Sequence, residues 1–176
     1  LIITVLNEGD HLHRLLQSLI TQTRQPDEII ICDGGSTDNT VAVLQSYADR
    51  LPIQVAVAPG ANISQGRNVA IATATGDIIA ATDAGVWLDP NWLAELVRPF
   101  DDPNWGGALI AGFFKADPQT PFEVALGATT LPQADEINPA KFLPSSRSVA
   151  FRKSAWLAVG GYPEWLDFSE DVVFDL

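Results

Sequence analysis

The sequence predicts an α/β fold: a mostly parallel sheet flanked by helices, followed by a smaller second half of different character. Three observations carry that reading. Short apolar, β-branched runs alternate with amphipathic stretches over the first hundred residues, the pattern of repeated βαβ units. Two of those runs, Ile29-Ile30-Ile31-Cys32 and Ile78-Ile79-Ala80-Ala81-Thr82, end on an aspartate followed closely by glycine, at Asp33 and Asp83. From Asp101 onward the alternation stops and Pro and Gly become frequent.

Taken in order, Leu1 to Val5 reads as a buried strand. Asn7-Glu8-Gly9-Asp10 supplies turn and cap chemistry, and Leu12, Leu15, Leu16, Leu19 and Ile20 then recur at helical spacing from His11 to Thr21. Pro26-Asp27 breaks the helix before a strand over Glu28 to Cys32. Ser36-Thr37-Asp38-Asn39 caps a helix reaching about Ala48. A strand at Ile53 to Ala58, a helix at Asn62 to Ala74, a strand at Asp77 to Thr82 and a helix at Asn91 to Phe100 complete the first half. The second half holds a strand at Ala108 to Phe114 and an irregular stretch, Pro118 to Pro144, with a helical piece at Phe122 to Ala128. A strand at Ser148 to Phe151 and helices at Lys153 to Val159 and Ser169 to Leu176 follow. The crossovers of the parallel part are expected to be right-handed.

Composition narrows the function classes. With 176 residues, 47% of them hydrophobic, the chain is long enough for one sizeable core. A net charge of -12 with ten Lys and Arg argues against a nucleic-acid surface, which needs clustered cations against phosphate, but leaves room for a local site that takes a phosphorylated small molecule. The single cysteine, Cys32, lies inside an apolar run and reads as a small core residue in a reducing compartment, with no nearby His to make it a nucleophile. His11 and His13 are two apart on a helix and do not converge on a zinc ion. No signal peptide and no apolar run of ~18 residues is visible. The chain contains no Met, opens within an apparent strand and stops at Phe174-Asp175-Leu176, so truncation at both ends is expected.

In open α/β sheets ligands bind beyond the carboxyl ends of the strands, where Asp33 and Asp83 fall. Gly34-Gly35 permits close backbone approach, and the helix starting near Ser36 offers free N–H groups to an anion. Asp33 also has a plainer reading as the cap of a turn.

Four segments in register carry a resemblance. Asn7-Glu8 after the first strand, DGGSTDNT after the second, GRNVAIATATGDIIAATDAG through the fourth and AFRKSAWLAVGGYPEWLDFSED near the end match in order and spacing. By these the chain resembles the family 2, inverting glycosyltransferases of GT-A fold, a Rossmann-like architecture, over essentially its whole length. The resemblance implies sugar transfer from a nucleotide-diphosphate sugar, with residues 1–100 as the nucleotide-sugar half and 101–176 as the acceptor side. It implies Asp33 on the nucleotide base and Arg67 of the "RN" pair beside the nucleotide, with Glu8 and Gly35 in the loops around the nucleoside. Asn68 is implied to be a structural helper. Asp83 is implied to hold a divalent cation, Mn²⁺ or Mg²⁺, on the diphosphate. Of Glu170-Asp171, Asp171 is implied to be the catalytic base and Glu170 to orient it.

The chain departs from the family's pattern in three places. The metal motif Asp-x-Asp reads Asp83-Ala84-Gly85, so the second carboxylate is missing and metal independence is an open alternative, with Asp89 a second candidate ligand. Asp33-Gly34 stands where many relatives carry two aspartates, and Thr4-Val5 where they carry Pro-Thr. Trp165 and Phe168 flank the last motif, where aromatic faces pack against sugar rings, with core and rim as the other readings of Trp165; Arg147 reads first as a surface arginine and otherwise as a phosphate contact. A non-catalytic relative that binds nucleotide or a partner protein is the main alternative, motivated by Gly85. A nucleotidyltransferase is a lesser one, because Asn7-Glu8-Gly9-Asp10 lacks the basic loop it needs, and a dinucleotide-binding dehydrogenase lacks its Gly-x-Gly-x-x-Gly. The expected acceptor is a glycan, a lipid-linked or a small molecule. The expected place is the cytoplasm, at the inner face of a membrane if parts outside this chain attach it there.

Overall fold

Strand order places every later feature of this molecule. A computed structural model describes residues 1–131, 135, 137–138, 142–166 and 168–175. Its strands are β1 (Ile2–Val5), β2 (Ile29–Asp33), β3 (Ile53–Val57), β4 (Ile78–Thr82), β5 (Leu109–Ala111) and β6 (Ser148–Arg152), in one six-stranded sheet of order β3-β2-β1-β4-β6-β5. Pairs β1/β2, β2/β3 and β1/β4 are parallel, whereas β6 runs antiparallel to both β4 and β5. The helices are α1 (Leu12–Ile20), α2 (Thr40–Gln45), α3 (Ile63–Thr73), α4 (Trp92–Val97), α5 (Pro121–Thr130), α6 (Lys153–Val159) and α7 (Glu170–Asp175).

Alternation along the buried strands sorts the core onto two faces. Ile3, Val5, Ile29, Ile31, Ala80 and Ala150 pack with Leu12, Leu15, Leu16 and Leu19 of α1, with α2 and with α4. Ile2, Ile30, Cys32, Ile79, Ala81, Val149 and Phe151 pack with Ala70 and Ile71 of α3, with Tyr162 and with Phe174 of α7. The four leucines of α1 are all at most 1% exposed. Each contributes on the order of 1.5–3 kcal/mol by leaving water. The predicted Cys32 core role is what the structure shows, and burial followed by the neighbouring Asp33 charge pushes its thiol pKa up.

Several boundaries moved for local reasons. The first helix opens with a 3₁₀ turn at Gly9–His11, and α2 stops at Gln45 because the chain continues as turns to Leu51. The predicted cap at Ser36 to Asn39 is used differently: Asp38 accepts from the Thr40 backbone N–H and hydroxyl, while Asn39 makes no side-chain cap bond. The strand expected over Ala108 to Phe114 is three residues long, since only Leu109–Ala111 finds a ladder on β6. Leu176, the predicted end of the last helix, and part of the irregular 118–144 stretch lie outside the described residues. Among the described residues no helix is long and apolar enough to cross a membrane.

Candidate active site

The strand order reverses between β1 and β4, and a cleft opens there at the carboxyl ends of the strands. It has a volume of about 420 Å³ and is lined by Thr4, Val5, Leu6 and Glu8 from β1 and its loop, Gly34 after β2, Ala61 to Ile63 and Gly66 at the start of α3, and Asp83 to Gly85 after β4. A smaller hollow of about 140 Å³ lies at the other end of the sheet, around Leu1, Asp27 and Ile78.

The floor beside the cleft is built by two loops locked to each other. The Asn7 N–H donates to Ser36 Oγ at 2.8 Å, and the Thr37 N–H donates back to Asn7 Oδ1 at 2.8 Å. Asp33, 2% exposed, accepts from the Ser36 N–H at 3.1 and 3.2 Å and from its hydroxyl at 2.5 Å. Its carboxylate therefore does cap the turn, while standing at the strand end beside the cleft. Gly35 has φ +97°, and a Cβ there would stand 3.1 Å from Pro59 Cα, so no other residue fits that turn without strain. Glu8 is half-buried on the cleft wall.

The start of α3 brings the charge. Asn62 and Gln65 form a reciprocal capping box, with Gln65 N–H to Asn62 Oδ1 at 2.9 Å and Asn62 N–H to Gln65 Oε1 at 3.0 Å. Gly66 lets the helix lie on β1, since a Cβ there would come within 3.0 Å of Thr4 Cγ2. Arg67 follows, 4% exposed, donating from Nη1 to Glu170 Oε1 at 2.5 Å and from Nη2 to Asp83 Oδ1 at 3.2 Å, with its guanidinium 5.3 Å from the Tyr162 ring centroid. Burial works to lower the Arg67 pKa, but Tyr162, Asp83 and Glu170 outweigh it and hold it above the ordinary value. Paired in this way the buried charge is compensated on two sides.

Asp83 meets a second arginine. Arg147 Nε donates to Asp83 Oδ2 at 3.3 Å, and the Arg147 guanidinium lies 4.9 Å from the Phe114 ring centroid. The antiparallel entry of β6 explains the meeting. Thr82 pairs with Ser148 and its hydroxyl donates to the Arg147 carbonyl at 3.0 Å, so the residue before β6 lands beside the residue after β4. Sequence reasoning favoured a plain surface arginine here, because only the strand pairing makes the two neighbours.

Asn68 turns the other way and holds the chain leading to α7. Its Oδ1 accepts from Trp156 Nε1 at 3.0 Å and the Tyr162 N–H at 2.8 Å, and its Nδ2 donates to the Tyr162 carbonyl and Glu164 Oε1, both at 2.9 Å. Tyr162, 1% exposed, also shares a 2.7 Å hydrogen bond with the buried Ser146 hydroxyl and stacks on Phe174 at 4.0 Å. Tyr162 and Ser146 thus seat α7, a role that nothing in their sequence neighbourhood announced. Asp171 is half-buried in the first turn of α7, and its Oδ1 accepts from the Val172 N–H at 2.9 Å.

The remaining candidates separate from this cluster. Asp89 is exposed and caps the turn into α4 through the Asn91 N–H at 2.9 Å. Trp165 and Phe168 are 77% and 85% exposed, which removes the core reading of Trp165. His13 Nδ1 pairs with the Tyr47 hydroxyl at 2.8 Å and His11 is exposed. Among the described residues no three His, Cys, Asp or Glu side chains group to hold a metal ion. As arranged, the donors do not fit a divalent cation: both Asp83 oxygens face guanidinium groups, Glu170 is bonded to Arg67, and position 85 has no side chain.

Comparison with known proteins gives one family. The sequence model described as Glycosyl transferase family 2 matches residues 1–154. The uncharacterized glycosyltransferase YibD of Escherichia coli (strain K12) is 42% identical over 84 residues, 47% of this chain and 24% of that protein. Residues 1–349 of Staphylococcus aureus TarS, solved in complex with UDP-GlcNAc, superimpose with a TM-score of 0.77 at 20% identity, covering 99% of this chain and 51% of that one. The mannosyltransferase PcManGT of Pyrobaculum calidifontis, solved with GDP-Man and Mn²⁺, gives 0.74 at 20%, covering 98% and 49%. The structural likeness is one of fold, the GT-A type, and the chain spans about half or less of the proteins it matches.

Proposed function

Because the chain belongs to glycosyl transferase family 2, we propose that it is the catalytic part of an inverting hexosyltransferase that uses a nucleotide-diphosphate sugar. The observation that carries this is the buried Arg67, which joins Asp83 at the strand switch point to Glu170 beside Asp171. A donor group and a base group are thereby held in one frame. Residues 1–100 bind the donor and 101–176 face the acceptor. Asp33, Glu8 and Gly35 shape the nucleoside end of the cleft, and Arg67 and Asp83 its diphosphate end.

In the reaction the acceptor hydroxyl oxygen attacks the anomeric carbon from the face opposite the diphosphate. Asp171 takes the hydroxyl proton as the new C–O bond forms. The electron pair of the breaking bond leaves on the diphosphate oxygen, and the sugar passes through an oxocarbenium-like state. Glu170, fixed by Arg67, orients the first turn of α7 that carries Asp171.

The test is incubation of the full-length protein with UDP-, GDP- and ADP-sugars, following the anomeric proton by NMR. A β-configured product from an α-configured donor supports the reading; retention of configuration overturns the inverting mechanism. Failure of the folded protein to bind any of these donors favours the non-catalytic alternative that Gly85 suggests.

A further inference from the structure

We propose that the Arg67–Asp83–Arg147 cluster does at the diphosphate what a divalent cation does in metal-dependent relatives, so that donor binding by this protein needs no metal. The proposal rests on the donor-binding reading above and goes beyond it by naming the charge that meets the leaving group. Asp83 is the one carboxylate of the metal motif that this chain keeps, and it is bracketed: Oδ1 at 3.2 Å from Arg67 and Oδ2 at 3.3 Å from Arg147. A cation at the roughly 2.1 Å that Mg²⁺ takes from a carboxylate oxygen would face two guanidinium groups across that same carboxylate. It would have to displace at least one of them. The vacated second position, Gly85, is open, with nothing within 4 Å of where a Cβ would stand.

Arg147 suits the task the cation leaves. Its side chain is 46% exposed where that of Arg67 is 5%, so it can reach an incoming ligand that Arg67, tied to Glu170, cannot follow. A guanidinium presents a planar fork that binds two phosphate oxygens at once. With a diphosphate present, Arg147 exchanges its single bond to Asp83 for the phosphate oxygens. Asp83 stays paired with Arg67 and keeps that buried charge compensated. When the C1–O bond breaks, the electron pair moves onto an oxygen that Arg147 already contacts, and charge is offset by a group fixed in place beforehand. Phe114, 4.9 Å beneath the guanidinium, limits where it can swing.

The deciding experiment is calorimetric titration of UDP, GDP and ADP into the full-length protein, once in EDTA and once in Mn²⁺, with Mn²⁺ uptake counted by electron paramagnetic resonance. The expected result is one diphosphate bound equally in both buffers, with no diphosphate-dependent Mn²⁺ uptake. Arg147→Ala is expected to weaken that binding by about ten- to hundredfold, and Arg147→Lys by less. Thermal melting confirms that each variant is folded; if Arg147→Ala is not, the EDTA comparison on the unaltered protein decides. Binding that requires Mn²⁺ and is indifferent to Arg147→Ala overturns the proposal while leaving the donor reading intact. Absence of any nucleotide binding to folded protein in either buffer overturns both.

Discussion

Arg67 donates to Glu170 at 2.5 Å across 103 residues of chain, and both side chains are less than a tenth exposed. This contact ties α3 to the first turn of α7, the turn that carries Asp171. Removing one partner leaves the other as a buried, uncompensated charge. Arg67→Ala is expected to cost about 3–5 kcal/mol, read by urea denaturation, and the Arg67→Ala/Glu170→Gln pair should recover part of it. Strict additivity in that double-mutant cycle would mean that the two groups do not interact in solution.

Asp171 should separate from the binding residues in kinetics. Asp171→Asn removes a proton acceptor without touching the cleft lining, so transfer should fall by about 10²- to 10⁴-fold with nucleotide affinity unchanged. A comparable loss of affinity would move Asp171 from the chemistry to donor binding.

Asn68 makes four hydrogen bonds that hold Trp156, Tyr162 and Glu164 against α3. Asn68→Ala leaves the Tyr162 N–H and the indole N–H without that acceptor, at about 1–3 kcal/mol. Limited proteolysis should then cut faster near Gly160 and Gly161. An unchanged cleavage rate would show that stacking of Tyr162 on Phe174 holds this segment unaided.

Gly66→Val is expected to lift α3 off β1, because even the first added carbon meets Thr4 Cγ2 at 3.0 Å. Overpacking of this kind costs about 1–3 kcal/mol. Arg67, the next residue, would move with the helix, so nucleotide affinity should drop as well. Loss of stability alone, with affinity kept in the folded fraction, would separate Gly66 from the site.

Glu28 gives a pH signature. Burial tends to raise its pKa, but the N–H groups of Gly76 and Thr75 and the Thr75 hydroxyl overcome this and hold it below the ordinary 4.5. A depressed carboxylate contributes stability above its unfolded pKa and loses it as pH falls through the folded one. Being largely solvent-screened, the contribution is about 1 kcal/mol. Glu28→Gln should therefore be less stable than the parent at pH 7, and the difference should close as pH falls below 4.5 and through the lowered folded pKa. The same difference at both pH values would assign it to packing.

Much of the proposed site was legible because its residues follow strand ends. Asp33 after a run of three isoleucines and Asp83 after Ile78 to Thr82 needed only the rule that open sheets bind ligands at their carboxyl edge. The capping box at Asn62 and Gln65 was legible in outline, as a helix start at Asn62, and it places Arg67 one turn in. Asn68 read as a structural helper and is one, through contacts no local pattern encodes. The strand expected over Ala108 to Phe114 is three residues long because β6 offers a ladder only to Leu109–Ala111, while Phe114 lies against the Arg147 guanidinium, which propensity cannot distinguish.

The sequence by itself determined the alternating elements, the two-faced core and the family, because periodicity and strand-end chemistry are local properties of a chain. Only the tertiary structure decided which charges meet. The order β3-β2-β1-β4-β6-β5 puts the carboxyl ends of β1 and β4 side by side, and the reversed direction of β6 delivers Arg147 to Asp83. Arg67 reaches Glu170 because α3 and α7 cover the same face of the sheet. Pairings over such separations are settled by packing and by the need to compensate buried charge, and neither is written in the residues between them.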